Sequence, residues 1–266
     1  MSSVRVRFTR GEEVKFISHL DLMKVFERAI RRSGLPIAYS QGFNPHPQMV
    51  FGLPLGVGMT SEGEYADFDL AEETDPRIFM ERLNASLPDA IRVTAAAVKN
   101  AKGNIMASIG GADYDLELFL NEELSLDEVK ERMGVLLARD SIKVMKEGKA
   151  KGGKGKDGKG NDGRGRDSGK DGGSVLKETE IRPLILYAEV ESAQNVPAGY
   201  ETFQSAFVIR ARFSAGSAAN LRPELFIRAL SEQAQIPVAA ARMHRRALYV
   251  VMNGRMTDPL DQTVLS

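Results

Sequence analysis

Two of the three histidines in the chain stand beside residues that could support acid–base chemistry or bind an anion. His19 and Asp21 lie at a predicted helix start, where unpaired backbone N–H groups and the helix dipole favour a phosphate or carboxylate. Asn44 and His46 lie in the proline-stiffened loop 39–47, which presents them rigidly. We therefore predict that these four side chains form one site, with His19 and His46 as its catalytic groups.

Other interpretations of the same residues stay open. Asp21 alone could be no more than a helix cap, and the loop no more than a rigid surface turn. His19, His46 and Asp21 offer ligands that suit zinc or iron, but their spacing matches no known metal motif. We therefore predict no metal site. Tyr39 and Gln41, at the start of the loop, are further candidate binding residues.

Basic residues fall into three groups along a chain whose formal net charge is zero. Solvated faces are the usual role of such groups. Arginines at alternate strand positions, with aromatic residues nearby, are also consistent with a local RNA-binding face. The candidate RNA-binding residues are Arg5 and Arg7 on the first strand, Arg28 and Arg31 on the first helix, and Arg246 before the last strand.

The composition excludes several classes of site. The 266 residues include no Cys, which excludes disulfides, iron–sulfur clusters and thiol nucleophiles within the chain. The Gly-rich segment 52–63 lacks the Lys-Ser/Thr pair of a phosphate-binding P-loop, and no serine stands in a nucleophile elbow. Charges at the N-terminus and the lack of a long apolar run predict a cytoplasmic protein without a membrane span.

The elements that position these residues follow the order β-α-β-β-α-β in residues 1–103. Apolar and basic residues alternate in the first strand, and the first helix begins at the Ser18 cap and ends at Gly34. This order is the split βαβ arrangement of ferredoxin-like folds. The four predicted strands of this order are 4–8, 37–39, 65–70 and 91–98, and a second predicted helix runs from Asp75 to about Leu87. A further short strand, 49–53, is predicted within the long connection of the middle hairpin.

Residues 104–266 repeat this order, so we predict an α+β fold of two ferredoxin-like modules in tandem. Ser125 and Glu128 predict a capping box at the start of a helix. Residues 147–173 contain 11 Gly and 8 Lys or Arg. Because this segment has too few apolar side chains to form a core, we predict that it is a disordered insertion in the second module. The other predicted elements are strands 113–120, 142–145, 184–190, 203–213 and 247–252, and a helix over 220–235.

Two sequence blocks carry a family resemblance: Phe16–Asp21 (FISHLD) and Tyr39–Pro47 (YSQGFNPHP). With Ile181–Ile185 and, more loosely, Arg245–Tyr249, they resemble the radical SAM-linked (radical SAM-associated) proteins, a family of unknown function. The resemblance covers nearly the whole chain, apart from the Gly/Lys-rich insertion. It implies a radical SAM enzyme as partner. Because this chain has no CxxxCxxC motif, any iron–sulfur cluster and S-adenosylmethionine would belong to that partner, with no cofactor here.

Three functions follow as expectations. The leading one is an accessory or substrate-binding protein for a radical SAM enzyme, working on RNA or a nucleotide-bearing substrate. The first alternative is a stand-alone metal-dependent or acid–base enzyme, nuclease-like, that uses His19 and His46. The second alternative is a structural interaction domain.

Overall fold

Apolar residues that alternate with basic ones at the start of the chain form a strand whose Val4, Val6 and Phe8 side chains enter a buried core. In this computed structural model, residues 2–149 and 174–266 are described. The first half contains β1 (Ser2–Arg10), α1 (His19–Ser33), β2 (Met49–Phe51), β3 (Thr60–Leu70), α2 (Pro76–Asn84) and β4 (Ile91–Lys99).

The second half follows a short helix, α3 (Ile105–Ser108). Its elements are β5 (Ile109–Leu120), α4 (Leu126–Leu137), β6 (Lys143–Lys149), β7 (Ser174–Glu180), β8 (Ile185–Ser192), β9 (Ser205–Ser214), α5 (Pro223–Gln233), β10 (Val238–Met252), β11 (Arg255–Thr257) and α6 (Gln262–Leu265).

The fold is a mixture of helices with one large, mostly antiparallel sheet. Within the described ranges this sheet has nine strands, with the order β4-β1-β3-β10-β5-β9-β8, while β2 pairs with β3 and β11 with β10. The first half therefore contributes the order β4-β1-β3-β2 and the second half the order β10-β5-β9-β8, with antiparallel neighbours throughout. Each half has its own hydrophobic core.

The two halves meet where β3 and β10 pair in parallel. Thr60 lies opposite His244 and Ser61 opposite Arg245. Gly63 is required beside this joint, because a Cβ there would lie 2.4 Å from the carbonyl oxygen of Arg246. One continuous sheet therefore connects the two halves across a very close backbone approach.

Helix starts follow the sequence prediction closely. Ser18 accepts a hydrogen bond from the backbone N–H of Asp21, and Asp75 caps α2 with Pro76 in its first turn. The capping box of Ser125 and Glu128 is confirmed, with both reciprocal hydrogen bonds present. Gly34 ends α1 in the left-handed conformation at φ 64°.

Several predicted elements differ. Residues 37–39 make only isolated bridges, Ile37 with Leu70 and Tyr39 with Pro47, because the chain turns into the loop at once. The strand predicted at 142–145 overlaps β6, which begins at Lys143 and pairs with β7 in a separate two-stranded sheet. The last long strand starts at Val238, well before the predicted residue 247, and β11 and α6 follow it.

The predicted disordered insertion, residues 147–173, lies mostly outside the described residues. Residues 147–149 belong to β6, which runs to Lys149 and pairs with β7 from Ser174. In the part of the chain that the structure describes, every helix is too short or too polar to cross a lipid bilayer.

Candidate functional site

His19 is the first residue of α1 and is half-buried. Its ring lies edge-on to Phe51, with 5.6 Å between the ring centroids. Burial lowers the pKa of the His19 imidazole, and the nearby Arg10 guanidinium lowers it further. The neutral imidazole is therefore favoured at this position.

His46 lies at the other end of α1 from His19. Phe51, which contacts His19, is five residues further along an extended stretch whose pairing runs from Pro47 to Phe51. At the rise per residue of a strand, five residues place His46 roughly 16 Å from Phe51. The fold therefore does not bring the two histidines together, which differs from the single site that the sequence predicted.

The loop that carries His46 folds on itself. The backbone N–H of Ser40 donates to the His46 carbonyl oxygen at 2.9 Å, and the His46 N–H donates to the Ser40 hydroxyl at 3.0 Å. Gln41, Asn44 and His46 are exposed on this loop, as is Tyr39 at its start. The two prolines thus shape a surface loop near the C-terminal end of α1.

Asp21 acts as a helix-cap partner. Its carboxylate accepts a hydrogen bond from the Ser18 hydroxyl at 2.7 Å, and Lys24 lies 3.5 Å away. The Ser18 hydrogen bond lowers the pKa of the Asp21 carboxyl. This placement matches the simpler interpretation of Asp21 given above.

The five candidate RNA-binding arginines do not share one face. Arg5 is buried and holds Asp67 through two hydrogen bonds of 2.6 and 3.0 Å. Arg7 is half-buried and Arg246 is exposed beside two carboxylates. Arg28 and Arg31 are exposed on α1. Of the five, these last two are the cations best placed to meet a phosphate.

A large cleft lies instead over the joint of the two halves, and we call it the junction cleft. Its volume is about 820 Å³, within the range of small-molecule sites. The cleft is formed where the end of β1, the start of β3, β5 and β10 converge. Its wall consists of Thr9, Arg10, Gly11, Glu12, Glu13, Lys15, Phe16, Gly58, Thr60, Ser61, Glu62, Asp89, Ala90, Asp115, Glu117, Tyr200, Ala241, Arg242, Met243 and His244.

Carboxylates dominate the charge of this wall. The permanent cations are Arg10, Lys15 and Arg242, and Arg10 is buried. Lys15 and Arg242 are both already paired with one of the carboxylates, Glu12, at 2.7 and 2.6 Å. The six carboxylates are Glu12, Glu13, Glu62, Asp89, Asp115 and Glu117.

Three of these carboxylates have capacity left for a ligand. Glu13 and Asp89 form no ion pair within residues 2–149 and 174–266. Asp115 has a buried Oδ1 that, among the described atoms, has no hydrogen-bond partner. Burial raises the pKa of the Asp115 carboxyl. A buried acceptor without a donor favours a ligand or water that supplies one.

His244 adds an imidazole to the cleft. Its Nδ1 lies 2.7 Å from the Thr60 hydroxyl, and its Nε2 lies 3.9 Å from the Glu62 carboxylate. Phe16 provides an aromatic face at the cleft and is 72% exposed, with Lys15 Nζ 5.2 Å from its ring centroid. The cleft thus combines acidic, aromatic and imidazole groups.

A buried polar cluster accompanies the joint. Arg245 holds Glu64 through two hydrogen bonds of 2.8 and 2.5 Å, and both side chains are almost fully buried. Arg10 donates from Nη2 to the carbonyl oxygens of Val14 and Ile17, which lie just before α1. Arg10 therefore fastens the segment before α1 to β1, and the Arg245–Glu64 pair links β10 to β3.

The sequence analysis missed the junction cleft, although one pattern pointed to it. Asp113, Asp115 and Glu117 alternate with buried apolar residues in β5, so they share the face of the sheet opposite the core. Arg242 and His244 alternate in the same way on the neighbouring strand β10. The segment that closes the cleft, residues 11–16, has no comparable pattern.

Comparison with known proteins identifies the family and leaves its activity open. The family described as "Uncharacterized protein conserved in bacteria (DUF2344)" matches residues 3–160, and the chain belongs to it. No curated protein matches the chain.

Two solved structures resemble the chain in outline. One is the crystal structure of a Cbf5-Nop10-Gar1 complex, with 8% identity, 93% of this chain and 48% of that chain covered, and a TM-score of 0.43. The other is the structure of an H/ACA RNP bound to a substrate RNA containing 2'-deoxyuridine, with 11% identity, 92% of this chain and 46% of that chain covered, and a TM-score of 0.36. This chain spans about half the length of the chains it matches.

Proposed function

We propose that this member of the uncharacterized bacterial family is a ligand-binding protein whose junction cleft holds a small cationic molecule or the cationic part of a larger substrate. The observation that carries the proposal is the excess of carboxylates on the wall, of which Glu13, Asp89 and Asp115 have capacity for a ligand. Carboxylates accept charge-assisted hydrogen bonds from ammonium groups, and a partly enclosed cleft strengthens such bonds.

The aromatic groups of the wall support the same ligand class. Phe16 and Tyr200 line the cleft, and a cation near an aromatic face is attracted by the ring quadrupole. A phosphate-rich ligand would be repelled by the carboxylates of this cleft. The junction cleft therefore favours an amine over a nucleotide.

We propose further that the bound molecule is presented to a radical SAM enzyme. The blocks Phe16–Asp21 and Tyr39–Pro47 support this partner through their resemblance to radical SAM-linked proteins. Phe16 also lines the junction cleft, so one of these blocks lies at the proposed binding site. In the same proposal each half is a ferredoxin-like module, which the shared strand order of the halves supports.

Titration calorimetry with spermidine tests the cleft. Spermidine should bind the full-length chain, and the double substitution Glu13→Gln and Asp115→Asn should weaken binding by roughly tenfold or more, since each removes a partner charge. Glu73→Gln, an exposed carboxylate outside the cleft, should leave the affinity unchanged. Equal affinity in all three proteins would contradict binding in the junction cleft.

A second candidate is RNA binding through α1, which the exposure of Arg28 and Arg31 favours. If both residues meet phosphates, Arg28→Gln with Arg31→Gln should reduce the slope of log affinity against log salt by about 2. Arg255→Gln, an exposed residue on β11, serves as the control and should leave the slope unchanged. Salt-independent binding of structured RNA, or none at low salt, would contradict this candidate.

A further inference from the structure

Arg10 is a buried guanidinium whose hydrogen-bonding capacity is only partly used. The residue is 1% exposed, and its Nη2 donates to the carbonyl oxygens of Val14 and Ile17 at 3.2 and 3.1 Å. Nε and Nη1 are buried too, and neither has a hydrogen-bond partner among the described atoms. Buried donors in native proteins are nearly always satisfied, so these two require an acceptor.

The acceptor is not a carboxylate of the described chain. Glu64 is the carboxylate whose charge acts on Arg10, but both of its oxygens are bound by Arg245. Two guanidinium groups therefore share one carboxylate in this cluster. His19, which Arg10 also influences, is favoured as the neutral imidazole and supplies no negative charge. The cluster carries an uncompensated positive charge, and a buried charge of that kind requires a counter-ion.

The surroundings of Arg10 suit a small oxyanion. The two carbonyls that it holds lie just before α1, a 15-residue helix whose start presents unpaired N–H groups and the positive end of its dipole. Arg10 also belongs to the wall of the junction cleft. An anionic group at Arg10 and an ammonium group at Asp115 would therefore lie in one connected site.

We propose that Arg10 binds a carboxylate or phosphate group, and that this group is the anionic end of the molecule held in the junction cleft. The ligand class is then a small zwitterion, which carries an amine at one end and an oxyanion at the other. This assignment rests on the proposed function for the cationic end of the ligand, and on Arg10 alone for the anionic end.

The test compares anions on the full-length chain. The melting temperature is measured in inorganic phosphate, in acetate and in chloride at one ionic strength, for the wild type and for Arg10→Gln. Phosphate or acetate should raise the melting temperature of the wild type above its value in chloride, because a ligand of the native state stabilises it. The anion that acts identifies the group as phosphate or carboxylate. Arg10→Gln should lose the increase, and Arg255→Gln, which changes an exposed arginine on β11, should keep it.

Equal melting temperatures of the wild type in all three anions would overturn the proposal, and so would an increase that survives in Arg10→Gln. If Arg10→Gln does not fold, Arg10→Lys is measured, which keeps the charge but removes the planar donor pair and should weaken the anion effect. Spermidine carries no oxyanion, so its binding should persist in a folded Arg10 variant. If phosphate and acetate have no effect on the wild type while spermidine binds it, this inference alone is refuted. If Arg10→Gln removes an anion effect that the wild type shows, but the wild type does not bind spermidine, the proposed function alone is refuted.

Discussion

Replacing Glu64 with Gln should lower the free energy of unfolding by about 3–5 kcal/mol, because it leaves a buried guanidinium without its charge partner. The Glu64 side chain is 5% exposed and Arg245 is 1% exposed, and two hydrogen bonds of 2.8 and 2.5 Å join them. Glu64 also acts on Arg10, so the neutral amide would remove a negative charge that both guanidinium groups face. Urea denaturation followed by circular dichroism measures the loss.

Glu62 on the same strand provides the matched control. Its side chain is 54% exposed, and its contacts with Arg246 and His244 are 3.4 and 3.9 Å long. Exposed ion pairs contribute little, so Glu62→Gln should cost no more than about 1 kcal/mol. Similar losses for the two substitutions would show that the Glu64–Arg245 pair does not hold the joint between the halves.

Replacing Gly63 with Ala should destabilise the protein by at least about 2 kcal/mol, at the upper end of the usual cost of overpacking. The added Cβ would lie 2.4 Å from the Arg246 carbonyl oxygen and 2.8 Å from the Ala247 Cα, and both of these atoms belong to the backbone of β10. Because backbone cannot rotate away as a side chain can, β3 and β10 would have to separate. The change therefore acts on the joint that positions the junction cleft.

Gly134→Ala tests the same substitution where there is space for it. Gly134 lies inside α4, and a Cβ there meets no atom within 4 Å. Alanine should stabilise this helix by about 0.5–1 kcal/mol, since glycine loses more backbone entropy on folding. A stabilising or neutral Gly63→Ala would contradict the close approach of the two strands.

Local patterns in the sequence predicted the helices of the fold well. Ser18, Asp75 and Ser125 each begin a helix because a short oxygen-bearing side chain satisfies an N–H of the first turn, and that chemistry is local. The joint of the halves was not predictable in this way. It depends on two paired positions, Thr60 with His244 and Ser61 with Arg245, that are far apart in the chain.

The burial of individual arginines could not be predicted from local sequence patterns either. The alternation in β1 placed Arg5 and Arg7 on one face of the strand but could not tell what covers that face. In the structure Arg5 donates to Asp67 and to the carbonyl oxygen of Pro259, which belongs to the C-terminal segment. A residue at the end of the chain therefore decides the environment of a residue at its start.

The candidate site illustrates why loops are harder to interpret than strands. Asn44 and His46 looked like partners of His19 because a long connection can fold toward either end of the neighbouring helix. Residues 49–51 pair with β3, and Pro47 pairs with Tyr39. These pairings fix the direction in which the loop extends, and they place it at the end of α1 that lies away from His19. The alternation of acidic and apolar residues in β5, by contrast, is visible in the sequence, and two of these acidic residues, Asp115 and Glu117, line the junction cleft.

A crystal structure of the full-length chain soaked with spermidine tests the central claim most directly. We expect density for the polyamine in the junction cleft, with at least one of its nitrogens within hydrogen-bonding distance of Asp115, Glu13 or Asp89. Spermidine bound elsewhere on the surface, with the junction cleft holding only solvent, would contradict the claim that this cleft binds a cationic ligand.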